Sequence, residues 1–172
     1  MVKPLAAAWK HALGSLVWEE RLPRPKGSVT LPVRGYRQLD SYSCGFVAGF
    51  TVVHLLKPSV LGMRFHQLCK PDPDGGTPEY RLIAALRKSG IAVYSRKKLS
   101  FEDIARYIEA GKPIIITVKL SEEISHWCTI YGVNRNSKMV YVSGSWTKSY
   151  TWRRFRAAWY GVGDGLVCSR KQ

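Results

Sequence analysis

The sequence predicts an α+β domain with a helical first half packed on an antiparallel sheet, and three observations carry that reading. Helix-start and helix-stop residues bracket apolar segments as far as Gly111. From Ile114 the period changes to β-branched and alternating runs. The chain has 172 residues of which 45% are apolar, the size and content of one domain with a real core. The same arithmetic excludes a disordered tail, a collagen-like rod and a disulfide-dense miniprotein. No apolar run reaches the ~18–20 residues of a membrane span.

The elements follow in chain order. Residues 5–18 read as a short helix or a loose N-terminal arm, and 22–27, broken by Pro23, Pro25 and Gly27, as a connector. Ser43 stands where it can cap a helix that opens at Cys44, runs to Leu56 and stops at Pro58. That helix is apolar on nearly every face, which predicts a central position. The loop 71–76 leads to Thr77-Pro78, a cap followed by proline at the first helical position. A helix carrying Tyr80, Ile83, Ala84 and Leu86 then extends to Gly90. Ser100 and Asp103 form a capping-box pattern for a helix that ends at Gly111. Residues 114–120 read as a buried strand, and 126–133 with 138–142 as a hairpin turning over 134–137. The expected division is an N-terminal extension over 1–33 and the domain proper over 34–172, with no second domain.

Charge is unusual. Lys and Arg number 27 against 12 Asp and Glu, a net +15, with +5 in residues 1–86 and +10 in 87–172. Such a field favours acidic or polyanionic partners, namely an acidic substrate, nucleic acid or an anionic membrane surface. Near the C-terminus Trp152, Phe155 and Trp159 fall at i, i+3 and i+7, the spacing of one packed helical face. The basic residues between them also suit single-stranded nucleic acid or a membrane surface.

Cys44, Cys69, Cys128 and Cys168 include no C-x-x-C pair, so no metal site and no cofactor is expected. Asp72 and Asp74 lack the continuation of a calcium loop and read as turn residues. His54, inside an apolar helix, reads as a core histidine. The first apolar stretch is shorter than the ~7–15 residues of a secretory h-region, and the expected setting is a cytoplasm with reduced thiols.

The residues that carry chemistry are Gln38, Cys44 and His126. A cysteine at a helix N-terminus meets the positive end of the dipole and unpaired N–H groups, which favour thiolate. A histidine opening a distant strand can serve as its base. Gln38, six residues upstream of Cys44, can aim its amide where the Cys44 backbone N–H points and complete an oxyanion hole.

These residues resemble a known family. The segment from Gln38 through Cys44-Gly45 is similar to the glutamine-to-nucleophile segment of papain-like cysteine peptidases. Gly75-Gly76-Thr77-Pro78 resembles their substrate-cleft glycines, and Gly111 to Val118 followed by Ser125-His126-Trp127 resembles the catalytic-histidine strand. The compact spacing is most similar to the bacteriocin-processing, double-glycine leader peptidase branch, over about 34–146. The resemblance implies a papain-like fold and a cysteine peptidase or related thiol hydrolase acting on a peptide or protein. Cys44 would be nucleophile, His126 general base and acid in a thiolate–imidazolium pair, and Gln38 oxyanion donor. Gly75 and Gly76 would meet an extended substrate backbone, and Trp127 and Trp146 would wall the cleft.

The chain departs from the family at one place. Papain-type sequences read Asn-Ser-Trp where this one reads Gly144-Ser145-Trp146, so the carboxamide that orients the histidine is absent. Ser143 or Ser145 would then orient the ring through a hydroxyl or a water. The competing reading is a catalytically inactive papain-like module that binds an acidic protein or nucleic acid.

Overall fold

The computed structural model describes residues 17–121, 124–144, 148–161 and 163–171. Its strands are β1 (Val17–Glu20), β2 (Val29–Thr30), β3 (Gly35–Gln38), β4 (Ile91–Arg96), β5 (Ile114–Lys119), β6 (Ser125–Asn134), β7 (Met139–Ser143), β8 (Lys148–Thr151) and β9 (Gly165–Arg170). Its helices are α1 (Cys44–Leu56), α2 (Gly62–Cys69), α3 (Glu79–Lys88), α4 (Phe101–Glu109) and α5 (Trp152–Ala158). The α+β class is thus as the sequence predicts.

The main sheet runs β4-β9-β5-β6-β7-β8, with β2 also paired to β6, and every pairing is antiparallel. Side-chain alternation along β5 builds two cores. Ile114, Ile116 and Val118 join Phe101, Ile104 and Ile108 of α4 and Phe155 of α5. Ile115 points the other way, into a cluster with Phe46, Phe50 and Val53 of α1, Phe65 of α2 and Leu82 and Leu86 of α3. Sheet and helices therefore form layers, and α1 is buried almost all round, as its uniform apolarity requires.

Local signals explain most boundaries. Ser100 Oγ accepts from the Asp103 N–H at 3.1 Å and Asp103 Oδ2 from the Ser100 N–H at 2.9 Å, a complete capping box. Gly111 adopts φ +75° just past α4, where a side chain would be strained. Pro78 occupies the cap position of α3, one residue later than Thr77 was placed. His54, expected in the core, is only half-buried; it is bonded to the Tyr36 hydroxyl with the two rings stacked at 5.8 Å. In the C-terminal segment Phe155 and Trp159 are buried while Arg153, Arg154 and Arg156 point outward, so the aromatic spacing is a packing face.

Several features were not foreseen, α2, β4 and β8 among them. Val17 and Trp18 lie in a strand where a helix or arm was expected; the rest of that segment falls outside the described residues. β1 pairs with β3 in a two-stranded sheet whose register joins Val17 to Gln38. The last strand, β9, sits between β4 and β5. No helix among the described residues is long and apolar enough to cross a membrane, and none of their His, Cys, Asp and Glu side chains group as metal ligands.

Candidate active site

Cys44 opens α1 as predicted, but its cap is not the expected one. Ser43 occupies the cap position, yet its hydroxyl makes no cap bond. Instead Asp40 Oδ1 accepts from the N–H groups of Tyr42 at 2.9 Å and Ser43 at 2.7 Å, an Asx turn that aims the loop into the helix. Asp40, four residues before the helix start, was missed in the sequence, although Asp is among the residues that form such turns.

The thiol of Cys44 is half-buried and receives backbone N–H groups from Trp127, Gly45 and Cys44 itself. These favour thiolate, as the helix terminus leads one to expect. Burial outweighs them and raises the thiol pKa above its ordinary value, and the charge of Asp40 adds to the rise. Burial also pushes the imidazole of His126 down to about 4. Burial thus acts on both groups against the ionised forms that the helix terminus and the family resemblance lead one to expect. Both directions have the same sign for reactivity: between pH 5 and 8 little thiolate is present. Alkylation of Cys44 by iodoacetamide should rise only above the ~8.5 of a free thiol, with no plateau at acid pH. A plateau between pH 5 and 7 in peptide-resolved mass spectrometry would show an ion pair formed at rest.

The alternation of β6 separates its residues. His126 and Cys128 are buried on one face, and Trp127 and Thr129 lie on the other, toward α1. Thr129 Oγ1 donates to the Ala48 carbonyl at 2.9 Å and ties the strand to the helix of the nucleophile. Trp127 Nε1 donates to the Thr77 carbonyl at 3.0 Å, holding the segment after Gly76 against the start of α1. Cys44, Gly75, Gly76 and Trp127 line one cavity of about 570 Å³. Tyr160 and Asp164, from the C-terminal segment, close another side of it, and no local sequence signal announced them.

Gln38 and His126 are not in that lining. Gln38 ends β3 and its Nε2 donates to the Asp40 carbonyl at 2.7 Å, which leaves one amide N–H for another acceptor, while its Oε1 is buried without a partner. Ser143 is opposite Thr129 in register and therefore on the α1 side, away from the face of His126. Its buried hydroxyl makes no direct hydrogen bond to the ring. Ser145 and Trp146 lie outside the described residues.

A profile of the Peptidase_C39-like family matches residues 30–166. The chain belongs to the Peptidase_C39-like family. Solved structures agree at the level of fold. The peptidase domain of Streptococcus ComA, a bifunctional ABC transporter of a quorum-sensing pathway, superposes with TM-score 0.64 at 19% identity, covering 78% of this chain and 96% of that one. A double-glycine motif protease from an AMS/PCAT transporter, solved with its leader peptide, gives 0.65 at 16% identity, with 88% and 99% covered. A Bacillus anthracis protein described as a C39-like peptidase gives 0.66 at 15% identity, with 84% and 99% covered. A search of curated proteins by sequence finds no match. The fold is papain-like.

Against this C39-like frame, position 144 has a physical explanation. An ideal Cβ there would lie 3.5 Å from His126 Nε2, where a ring-orienting side chain would begin. It would also lie 3.0 Å from Cys128 Sγ and 3.3 Å from the Trp127 carbonyl. The buried thiol of Cys128 thus fills the room an Asn or Asp would need. Gly144→Asn alone should destabilise the protein by about 1–3 kcal/mol through overpacking. Gly144→Asn with Cys128→Ala should be more stable than the sum of the two single effects, read as a double-mutant cycle by denaturant unfolding. Simple additivity would show that Cys128 does not occupy that space.

Proposed function

We propose that the chain is a cysteine peptidase that cleaves a peptide through an acyl-enzyme thioester. One observation carries the reading: the Cys44 thiol opens into a cavity between Gly75-Gly76 and Trp127, with the N–H of the residue after His126 on its sulfur. The solved double-glycine protease with its leader peptide supports a peptide as substrate.

The chain's own groups would act as follows. Cys44 Sγ attacks the scissile carbonyl carbon while its proton passes to His126, so the thiolate–imidazolium pair forms as the bond forms rather than at rest. The carbonyl oxygen becomes an oxyanion held by the Cys44 backbone N–H and the remaining N–H of Gln38 Nε2. The tetrahedral intermediate collapses, the C–N bond breaks, and His126 returns the proton to the leaving amine. A water then gives a proton to His126 and attacks the thioester, releasing the acid and the thiol. Gly75, with nothing within 4 Å of an ideal Cβ, leaves the wall open for an extended peptide backbone. The glycine at position 144, where a ring-orienting side chain would begin, favours one rival, a module that binds peptide without cleaving it.

Incubation with acetylated peptides containing Gly-Gly, acid quenching and mass spectrometry separate the two. The expected result is two cleavage products and a Cys44 tryptic fragment heavier by the acyl half of the peptide. Binding with neither product nor adduct would overturn the peptidase reading.

A further inference from the structure

The charge around the candidate site is opposite in sign to the charge of the chain. The net charge is +15, yet among the described residues the cavity that holds Cys44 is lined by Asp74, Glu79 and Asp164 and by no Lys or Arg. None of the three carboxylates takes part in an ion pair or a side-chain hydrogen bond; Asp74 uses only its backbone N–H and Asp164 its carbonyl. The nearest cations stand outside the lining. Lys119 lies over the Tyr160 ring at 5.8 Å, and Lys97 lines only a smaller adjoining cavity of about 240 Å³. Thr77 of the same wall, 4% exposed, turns its buried hydroxyl toward Gly45, so the polar groups offered to the cavity are the carboxylates.

Distance decides which charges a substrate feels. Charges farther than a Debye length, ~8–10 Å at physiological salt, are largely screened, so most of the +15 counts for little in the cavity; Lys119 and Lys97 fall within that range but outside the wall, whereas the three carboxylates stand in it. We infer that the candidate site selects peptides carrying a Lys or Arg side chain that enters the cavity between Asp74, Glu79 and Asp164. This reverses the acidic substrate suggested by net charge, which describes the outer surface and not the cleft. The inference rests on the peptidase reading for turnover, but the charge preference can be measured without it.

The probes are fluorescein-labelled, N-acetylated, C-amidated decapeptides with a central Gly-Gly, identical except for Lys or Glu at the four flanking positions. Wild type reads turnover, and Cys44→Ala reads binding by fluorescence polarisation. The Lys peptide should be favoured about tenfold in kcat/KM and in affinity at low salt, narrowing in 0.5 M NaCl, the scale of a few solvent-exposed charge pairs. In Asp74→Asn/Glu79→Gln/Asp164→Asn the ratio should fall toward one. All three positions are exposed, and an unchanged melting temperature verifies the fold. Equal treatment of the two peptides, a preference for Glu, or a preference that survives in the triple variant would overturn the inference. Binding selectivity without cleavage would overturn the peptidase reading alone. A neutral peptide that binds tightly only with a free N-terminus would assign the cavity to a terminal ammonium and overturn the side-chain reading.

Discussion

Cys44→Ala is expected to remove peptide hydrolysis completely, since no other cysteine or serine of the described residues reaches the same cavity with a helix-terminal oxyanion site behind it. His126→Ala should lower kcat by about ten-thousand-fold and Gln38→Ala by about a hundred- to a thousand-fold, with KM little changed in both. The ordering has a physical basis. In the proposed mechanism the sulfur forms and breaks the covalent bond, the imidazole carries the proton both ways, and the amide of Gln38 supplies one of two oxyanion donors. Because burial raises the thiol pKa and lowers that of the imidazole, the proposed mechanism couples proton transfer to attack. Loss of His126 is therefore not rescued by neutral pH alone, and the residual rate in His126→Ala should climb with pH as hydroxide deprotonates Cys44. A His126→Ala variant that keeps wild-type kcat at pH 7 would remove the histidine from the mechanism.

Gly45→Val should cost both stability and activity, and it shows why Cys-Gly matters here. An ideal Cβ at 45 would lie 2.6 Å from Thr77 Cβ, 3.0 Å from Thr77 Oγ1 and 3.1 Å from Trp127 Cδ1. Neither neighbour can yield freely, because Thr77 is 4% exposed and its carbonyl is bonded to Trp127 Nε1 at 3.0 Å. Overpacking of this kind costs about 1–3 kcal/mol, or about 2–12 °C in melting temperature for a domain of this size. Displacing Trp127 also shifts the N–H on the Cys44 sulfur, and misplacement by about 1 Å can cost a hundredfold in kcat/KM. Gly75→Ala is the matched control: it meets no atom within 4 Å, so its melting temperature should hold while KM for peptide rises. Equal losses in the two variants would mean that the glycines share a general packing role.

Elements with a local cause were legible. The α1 start and stop, the capping box of α4, and the β6–β7 hairpin each follow from residues within a few positions of one another. β9 was not legible because a short apolar terminal strand carries no sign of where it inserts, and its place between β4 and β5 comes from long-range pairing. The pairing of β1 with β3 was hidden for the same reason. Ser143 shows the limit for the candidate site: neighbours in sequence, Ser143 and Gly144 occupy opposite faces of a strand, and only the register assigns Gly144 the side of His126.

The sequence by itself determined the fold class, the family resemblance and the identity of the three candidate residues, because residue type, order and spacing carry those. Tertiary structure decided their chemical state and surroundings. Whether a helix-terminal thiol ionises depends on how much solvent it loses, and here burial overrides the terminus. Whether a chain of +15 offers an acidic or a basic cleft depends on which side chains converge, and here Asp164, from the far end of the chain, joins Asp74 and Glu79. Charge is summed along a sequence, but in water it acts over only about a Debye length, so its meaning is settled in space.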